Sequence, residues 1–181
     1  MARPAFPVAV PGVRLSAGEY VAVNFRLWWH AAATRRNHWL LGLALALLAA
    51  SVAMQLRGRA PDGAFAWSSP VLLAVGLAYG ALRPLLVRRL LRRTYQGSDA
   101  MQTPIDYELT AEELRGHSAL GHFAVPWPAL RRARWVRPDW LLLYPTDAAC
   151  YYLDLRRLPA AFPADELARL LARHQVPQVK L

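Results

Sequence analysis

Residues 39–56 read WLLGLALALLAASVAMQL, 18 residues without a charge. As a helix this run is about 27 Å long at about 1.5 Å per residue, close to the ~30 Å hydrocarbon core of a bilayer. A second uncharged run of 18 covers residues 65–82, FAWSSPVLLAVGLAYGAL, and meets its first charge at Arg83. A core helix of a soluble bundle keeps a polar stripe every three or four residues. Neither run has one, so both read as membrane spans. The link between them, RGRAPDGA at residues 57–64, contains Pro61-Asp62-Gly63, a strong turn signal. Two spans joined by so short a link predict a helical hairpin.

Charge supports the same partition. The 181 residues carry a net charge of +10, yet only 19% are charged and 55% are apolar. That balance argues against disorder and against a plain soluble domain of this size. Residues 1–94 hold 12 arginines against only Glu19 and Asp62, whereas residues 95–181 hold ten basic and ten acidic residues. The excess therefore lies beside the apolar runs, where it reads as a membrane flank. A nucleic-acid binder would place it on the polar module, so no nucleic-acid partner is expected. Residues 1–15 lack the apolar stretch of a cleaved leader.

Arg26, Arg35 and Arg36 precede the first run, and Arg83, Arg88, Arg89, Arg92 and Arg93 follow the second. The link has only Arg57 and Arg59, offset in part by Asp62. Positive charge stays on the cytoplasmic side, so both termini are expected there. Arg83 is placed to snorkel to the interface, and Pro84 to kink the helix or mark its exit. Trp28, Trp29, Trp39 and Trp67 fall at interfacial positions. Gly76 and Gly80 form a small-xxx-small surface, and Gly42 and Ala46 a similar one. Either the two spans of one hairpin pack through them, or they form a homo-oligomer seam; the short link favours the first.

Prolines at 4, 7 and 11 suggest an irregular or extended start. Ser16-Ala17-Gly18-Glu19 fits a capping box, with Tyr20, Val23, Leu27 and Trp28 following at helical spacing. This helix lies on the membrane face or extends the first span; the sequence leaves both open.

From about Gln96 the pattern changes. Ile105, Tyr107 and Leu109 alternate, as do Phe123, Val125 and Trp127, then Ala133 and Trp135. Trp140–Tyr144 and Cys150–Leu155 are further strand candidates, separated by Pro145-Thr146-Asp147, and Arg137-Pro138-Asp139 precedes them as a turn. Residues 163–174 read as a helix, with Leu167, Leu170 and Leu171 on one side and Asp165 and Glu166 at its start. The predicted class is an α+β membrane protein: a transmembrane helical hairpin followed by a small antiparallel β-sheet domain with a C-terminal helix. Its parts are a cytoplasmic N-terminal arm (1–36), the hairpin (37–94) and a β-rich cytoplasmic domain (95–181).

The arm Ser-x-x-Glu-Tyr, the paired spans, and the stretches Val-Pro-Trp-Pro-Ala-Leu-Arg-Arg-Ala and Asp-Trp-Leu-Leu-Leu-Tyr resemble the bacterial YcxB-like membrane proteins. The matching positions are Trp127, Leu130, Trp140, Leu142 and Tyr144, then the helix from Pro163. The resemblance implies a PH-like C-terminal domain, the bacterial inner membrane as location, and no catalytic residues. Where such proteins often carry a Pro-Lys-Arg-like step after the last strand, this chain has Asp154-Leu155-Arg156-Arg157-Leu158-Pro159.

Enzyme constellations do not emerge. There is no phosphate loop with a following Lys, the only lysine being Lys180, and no G-x-S-x-G elbow. His117 and His122, with Cys150 distant, lack the spacing of a metal site and read as surface histidines. Glu112-Glu113 reads as a turn or a solvated face, and Cys150 as an inert buried thiol. No cofactor and no metal are expected. Arg131, Arg132, Arg134, Arg156 and Arg157 are the candidate contacts to anionic lipid or to an acidic protein partner, although intramolecular acids compete for them. The expected function is a non-enzymatic membrane protein presenting a PH-like module to a protein or to the bilayer. The rival is a small transport or channel accessory working through an oligomerised hairpin, whose polar residues would be Ser51, Gln55, Ser68, Ser69 and Tyr79.

Overall fold

The computed structural model describes residues 6–58, 66–136 and 138–181. The Pro61-Asp62-Gly63 turn, the Phe65 start of the second apolar run and Arg137 lie outside the described residues. Strand β1 (Val8–Val13) and helix α1 (Ala17–His30) come first. Two long helices follow, α2 (Ala32–Arg57) and α3 (Ser68–Gln96), then a single turn, α4 (Asp99–Gln102).

The capping box forms as its spacing predicts. Ser16 N–H donates to Glu19 Oε2 at 2.9 Å, and Glu19 N–H donates to Ser16 Oγ at 3.2 Å. At the other end, Ala31 is extended (φ −62°, ψ 135°) and separates α1 from α2. The stretch from Ser16 to Arg36 is thus a separate helix and the start of the next, not one continuation of the first span.

Helices α2 and α3 are long and apolar enough to cross a membrane, and in neither is any residue of the most apolar 18-residue window buried. Trp39 is 75% exposed and Met54 69%. Helix α3 continues through Pro84, which withholds only the N–H that would have met the Gly80 carbonyl. The helix itself therefore does not end where the uncharged run does. Arg83 folds back over the Trp28 ring, 5.3 Å from its centroid.

The small residues have different fates. A Cβ at Gly76 would stand 2.8 Å from Leu45 Cδ2, and one at Gly80 3.5 Å from Leu41 Cδ2, so α3 receives the leucines of α2 on its small face. A Cβ at Gly42 would meet nothing within 4 Å. Gly42 is therefore no part of the seam within the hairpin. Ser51 Oγ and Gln55 Nε2 each lie 3.3 Å from Ser69 Oγ, which ties the two helices by polar contacts, while the buried Gln55 Oε1 has no partner among the described residues. Gly76→Ile should separate the helices at an overpacking cost of about 1–3 kcal/mol, whereas Gly76→Ala is absorbed by rotation of Leu45. Thermal unfolding of the two variants in detergent, followed by helical circular dichroism, measures the difference.

The remaining elements build two four-stranded sheets. In the first, β1, β2 (Ile105–Leu109), β3 (Glu113–Ser118) and β4 (Gly121–Pro126) lie antiparallel in sequence order. The second contains β5 (Arg132–Val136), β6 (Trp140–Tyr144), β7 (Tyr151–Asp154) and β8 (Gln178–Lys180), ordered β7-β6-β5-β8. Only β8, beside β5, runs parallel to its neighbour. Helix α5 (Ala164–Arg173) buries Leu167, Leu170 and Leu171. All five residues of β6 are buried, as a continuous apolar run requires when both faces of a strand are covered. Phe123 stacks on Tyr151, centroids 4.2 Å apart, and links the two sheets.

The sequence divides the chain at 36/37 and 94/95. The contacts divide it otherwise: the N-terminal stretch to Arg26 joins Arg92–Leu181 in one compact unit, and Leu27–Leu91 is the second. Strand β1 causes the difference. Val8, Ala9 and Val10 pair with Leu109, Glu108 and Tyr107, and a bulge at Pro11-Gly12 resets the register before Val13. Gly12 takes φ +60° there, and its N–H donates to Asp106 Oδ1 at 2.6 Å. The same unit holds the start of α1, where Tyr20 and Val23 are buried, and Tyr95, whose hydroxyl donates to the Leu15 carbonyl at 2.6 Å.

Candidate functional site

The five candidate arginines fall into two groups, on different elements and with different partners. Arg132 and Arg134 are two apart on β5 and so share one face of the second sheet. Tyr144 of β6 pairs with Arg132. The Arg132 guanidinium lies 4.7 Å and that of Arg134 5.6 Å from the Tyr144 ring centroid, so one aromatic platform carries two cations. Like charges are held together there by the ring and by one acid. Asp147 meets Arg131 Nη1 at 2.8 Å and Arg132 Nη2 at 3.4 Å. Asp147 is 67% exposed, so these pairs contribute little to stability. The buried Nε atoms of Arg132 and Arg134 lack partners among the described residues.

Behind this face burial governs the titrating groups. It pushes the Cys150 thiol up, against hydrogen bonding to Tyr152 and Tyr144 and against the two arginine charges. Burial likewise pushes Tyr144 up to about 12. The raised thiol favours its protonated form at neutral pH, and Cys150 is half-buried rather than fully enclosed. A cavity of about 210 Å³ lies close by, lined by Leu15, Tyr20, Met101, Tyr107 and Cys150 among others.

Arg156 and Arg157 sit in a 3₁₀ turn, Leu155–Arg157, directly after β7. Asp154 there is 3% exposed and accepts from Arg156 Nε at 2.8 Å and from the Arg156 backbone N–H at 3.0 Å. Arg156 also donates to Glu19 Oε1 at 2.7 Å and lies over Trp140. Arg157 Nη1 donates to the Pro11 carbonyl at 2.9 Å. Both arginines are thus held by acids and carbonyls of the same compact unit. They fasten β1 and the start of α1 to the second sheet.

Glu19 carries a measurable signature of this knot. Burial acts to raise its carboxyl, but hydrogen bonds from Ser16 and from Arg156 outweigh it and hold the group below its ordinary 4.5. A depressed carboxyl stabilises the fold above its unfolded value, and that stabilisation is lost as pH falls through the folded value. Glu19→Gln should therefore lower stability by about 1 kcal/mol at neutral pH, and the gap to the parent should narrow as pH falls through the lowered folded value. Thermal melts of both proteins over a descending pH series measure it.

His117 and His122 face each other across β3 and β4, both exposed. Among the described residues no group of three or more His, Cys, Asp or Glu side chains comes together in a way that would hold a metal ion. Of the two adjacent acids, Glu112 is exposed in the bend before β3, while Glu113 opens β3 and accepts from Arg115 Nε at 2.7 Å. Asp147 and the platform role of Tyr144 carried no sequence signal, because they depend on which turn lies beside which strand. Comparison with protein-family models, with curated proteins and with solved structures finds no match to this chain.

Proposed function

We propose that this chain is a non-enzymatic integral membrane protein that presents a PH-like sheet unit to an anionic partner. The carrying observation is that two long helices leave their apolar windows wholly unburied while a sheet unit with its own buried core includes chain from both sides of them. Burying one exposed leucine in lipid is worth about 1.5–3 kcal/mol, and helices this apolar have no other comparable way to leave water. Strand β1 precedes both helices and β2 follows both, yet the two are hydrogen-bonded neighbours. That pairing requires an even number of crossings, and two spans supply it. The arginine flanks favour the cytoplasmic side for the sheet unit.

The face of Arg132, Arg134 and Tyr144 is the contact we assign to the partner, either an acidic protein segment or the anionic membrane surface. Arg156 and Arg157 are left out of it, since the buried Asp154 already engages both, whereas Arg132 meets only the exposed Asp147. The YcxB-like resemblance agrees with this layout through its element order. The test has two readouts. Full-length protein should remain in the pellet after alkaline carbonate washing, and reporters should be cytoplasmic at the C-terminus but not at residue 62. Release by carbonate, or a cytoplasmic reporter at residue 62, overturns the reading.

A further inference from the structure

A groove of about 820 Å³ opens at the corner where α1 meets α2. Its lining runs from Trp29, His30, Arg35 and His38 at that corner, taken as its mouth, to Gly42 and Ala46 further along α2. We propose that it holds one anionic glycerophospholipid, with the phosphodiester at the mouth and one acyl chain along Gly42 and Ala46. The inference rests on the membrane reading above and adds a specific ligand to it.

Three observations point to that occupant. The first is charge. From Glu19 to Asp62 the sequence has no acid, while Arg35 is exposed and has no ion pair among the described residues. Helix α2 also begins at Ala31 without a side-chain cap, so the amides of its first turn add partial positive charge at the same end. An anion is the complement of this mouth.

The second is shape. Gly42 and Ala46 are four apart and so lie on one helix face. The space over Gly42 is empty to 4 Å, which leaves a trough against the bare backbone. The third is length. From Arg35 to Ala46 is about 16 Å of helix at ~1.5 Å per residue, close to the depth of one leaflet, half of a ~30 Å core. A headgroup contact at one end and a chain channel at the other are therefore spaced as a lipid needs. Trp29 lies tilted against His38, ring centroids 5.0 Å apart and planes at 51°, and gives the mouth an amphipathic rim suited to the interface.

A second copy of the chain is the competing occupant for a small-residue face. A two-fold contact through Gly42 and Ala46 would bring Arg35 toward its own counterpart with no acid between them. Charge therefore selects the lipid.

Full-length protein in mild detergent is mixed with phosphatidylglycerol or with phosphatidylcholine and measured by native mass spectrometry. One bound phosphatidylglycerol is expected per chain, retained about tenfold better than phosphatidylcholine, as charge-assisted hydrogen bonds to a phosphodiester imply. Arg35→Gln should bring that ratio close to one while helical circular dichroism stays unchanged. The double variant Gly42→Leu, Ala46→Leu should lose both lipids by filling the trough. Equal retention of the two lipids by the parent protein overturns the proposal. So does a parent ratio that survives both variants, or lipid-free dimers that the double variant dissociates. Carbonate washing of the membranes from which the parent protein is taken, before detergent is added, separates the two claims: membrane-bound protein without lipid preference sinks the groove alone, and extracted protein sinks the membrane reading.

Discussion

Trp127→Ala is expected to cost the sheet unit about 3–5 kcal/mol, a large part of the 5–15 kcal/mol that holds an ordinary domain together. Trp127 is fully buried at the head of a 3₁₀ turn between β4 and β5. Its ring N–H donates to the Thr110 carbonyl at 3.0 Å, and its backbone N–H to the Glu112 carbonyl at 3.1 Å. Truncation leaves a cavity of most of an indole and an unpaired carbonyl. Trp127→Phe separates the two terms, because it keeps most of the burial and loses only the ring donor, at about 1–2 kcal/mol. Trp39→Ala serves as the control, since Trp39 is 75% exposed and its loss removes little packing. Limited proteolysis and near-ultraviolet circular dichroism of the full-length variants in detergent give the ranking. Equal stability of Trp127→Ala and Trp39→Ala would contradict the burial of Trp127.

The second large effect concerns where the folded module begins. Residues 95–181 alone should fail to give a stable fold, whereas residues 6–26 joined through a flexible linker to residues 92–181 should fold. The shorter fragment strips β1 from β2 and exposes one edge of the first sheet along its length. It also removes Tyr20 and Val23 from the core and the Leu15 carbonyl from the Tyr95 hydroxyl. Asp154 keeps its arginines but loses Glu19 from the network. Each missing core side chain is worth about 1.5–3 kcal/mol, so their sum exceeds what a unit of this size has to spare. Dispersed amide resonances from the joined protein and collapsed ones from the short fragment are the expected spectra. Dispersed resonances from residues 95–181 alone would show that β1 is dispensable.

Most strands of the second half were legible because their apolar residues are consecutive or alternate cleanly. Trp140–Tyr144 and Ile105–Leu109 appear in the structure with the limits that their patterns set. Strand β3 was hidden because only Leu114 among its inward positions is a large apolar residue. Gly116 takes the next inward position, where any Cβ would overlap the Phe123 ring from β4. A strand whose missing side chain is supplied by its neighbour leaves no period of two in its own sequence. Strand β1 was hidden for a related reason: Pro7 and Pro11 break the run, and the bulge at Gly12 shifts its alternation. Strand β8 spans three residues and gains its place only from the parallel pairing with β5. At the candidate site the arginines were visible, but their division was not. Whether an arginine is spent or available depends on the acid that folding brings to it. Asp154 and Glu19 reach Arg156 from residues 2 and 137 positions away.

Two long apolar helices, their arginine flanks, the capping box and the strongest strands follow from local composition and period. Hydropathy and hydrogen-bonding periods act over neighbouring residues, so a single stretch of chain is enough to specify them. The closing of the sheet by a strand from the other side of both helices was decided by tertiary structure. So were the engagement of Arg156 and Arg157 and the turning of Gly42 away from α3, the helix that carries Gly76. Each of these depends on a pairing between residues distant in sequence, whose strength comes from burial and geometry that no stretch of chain carries alone.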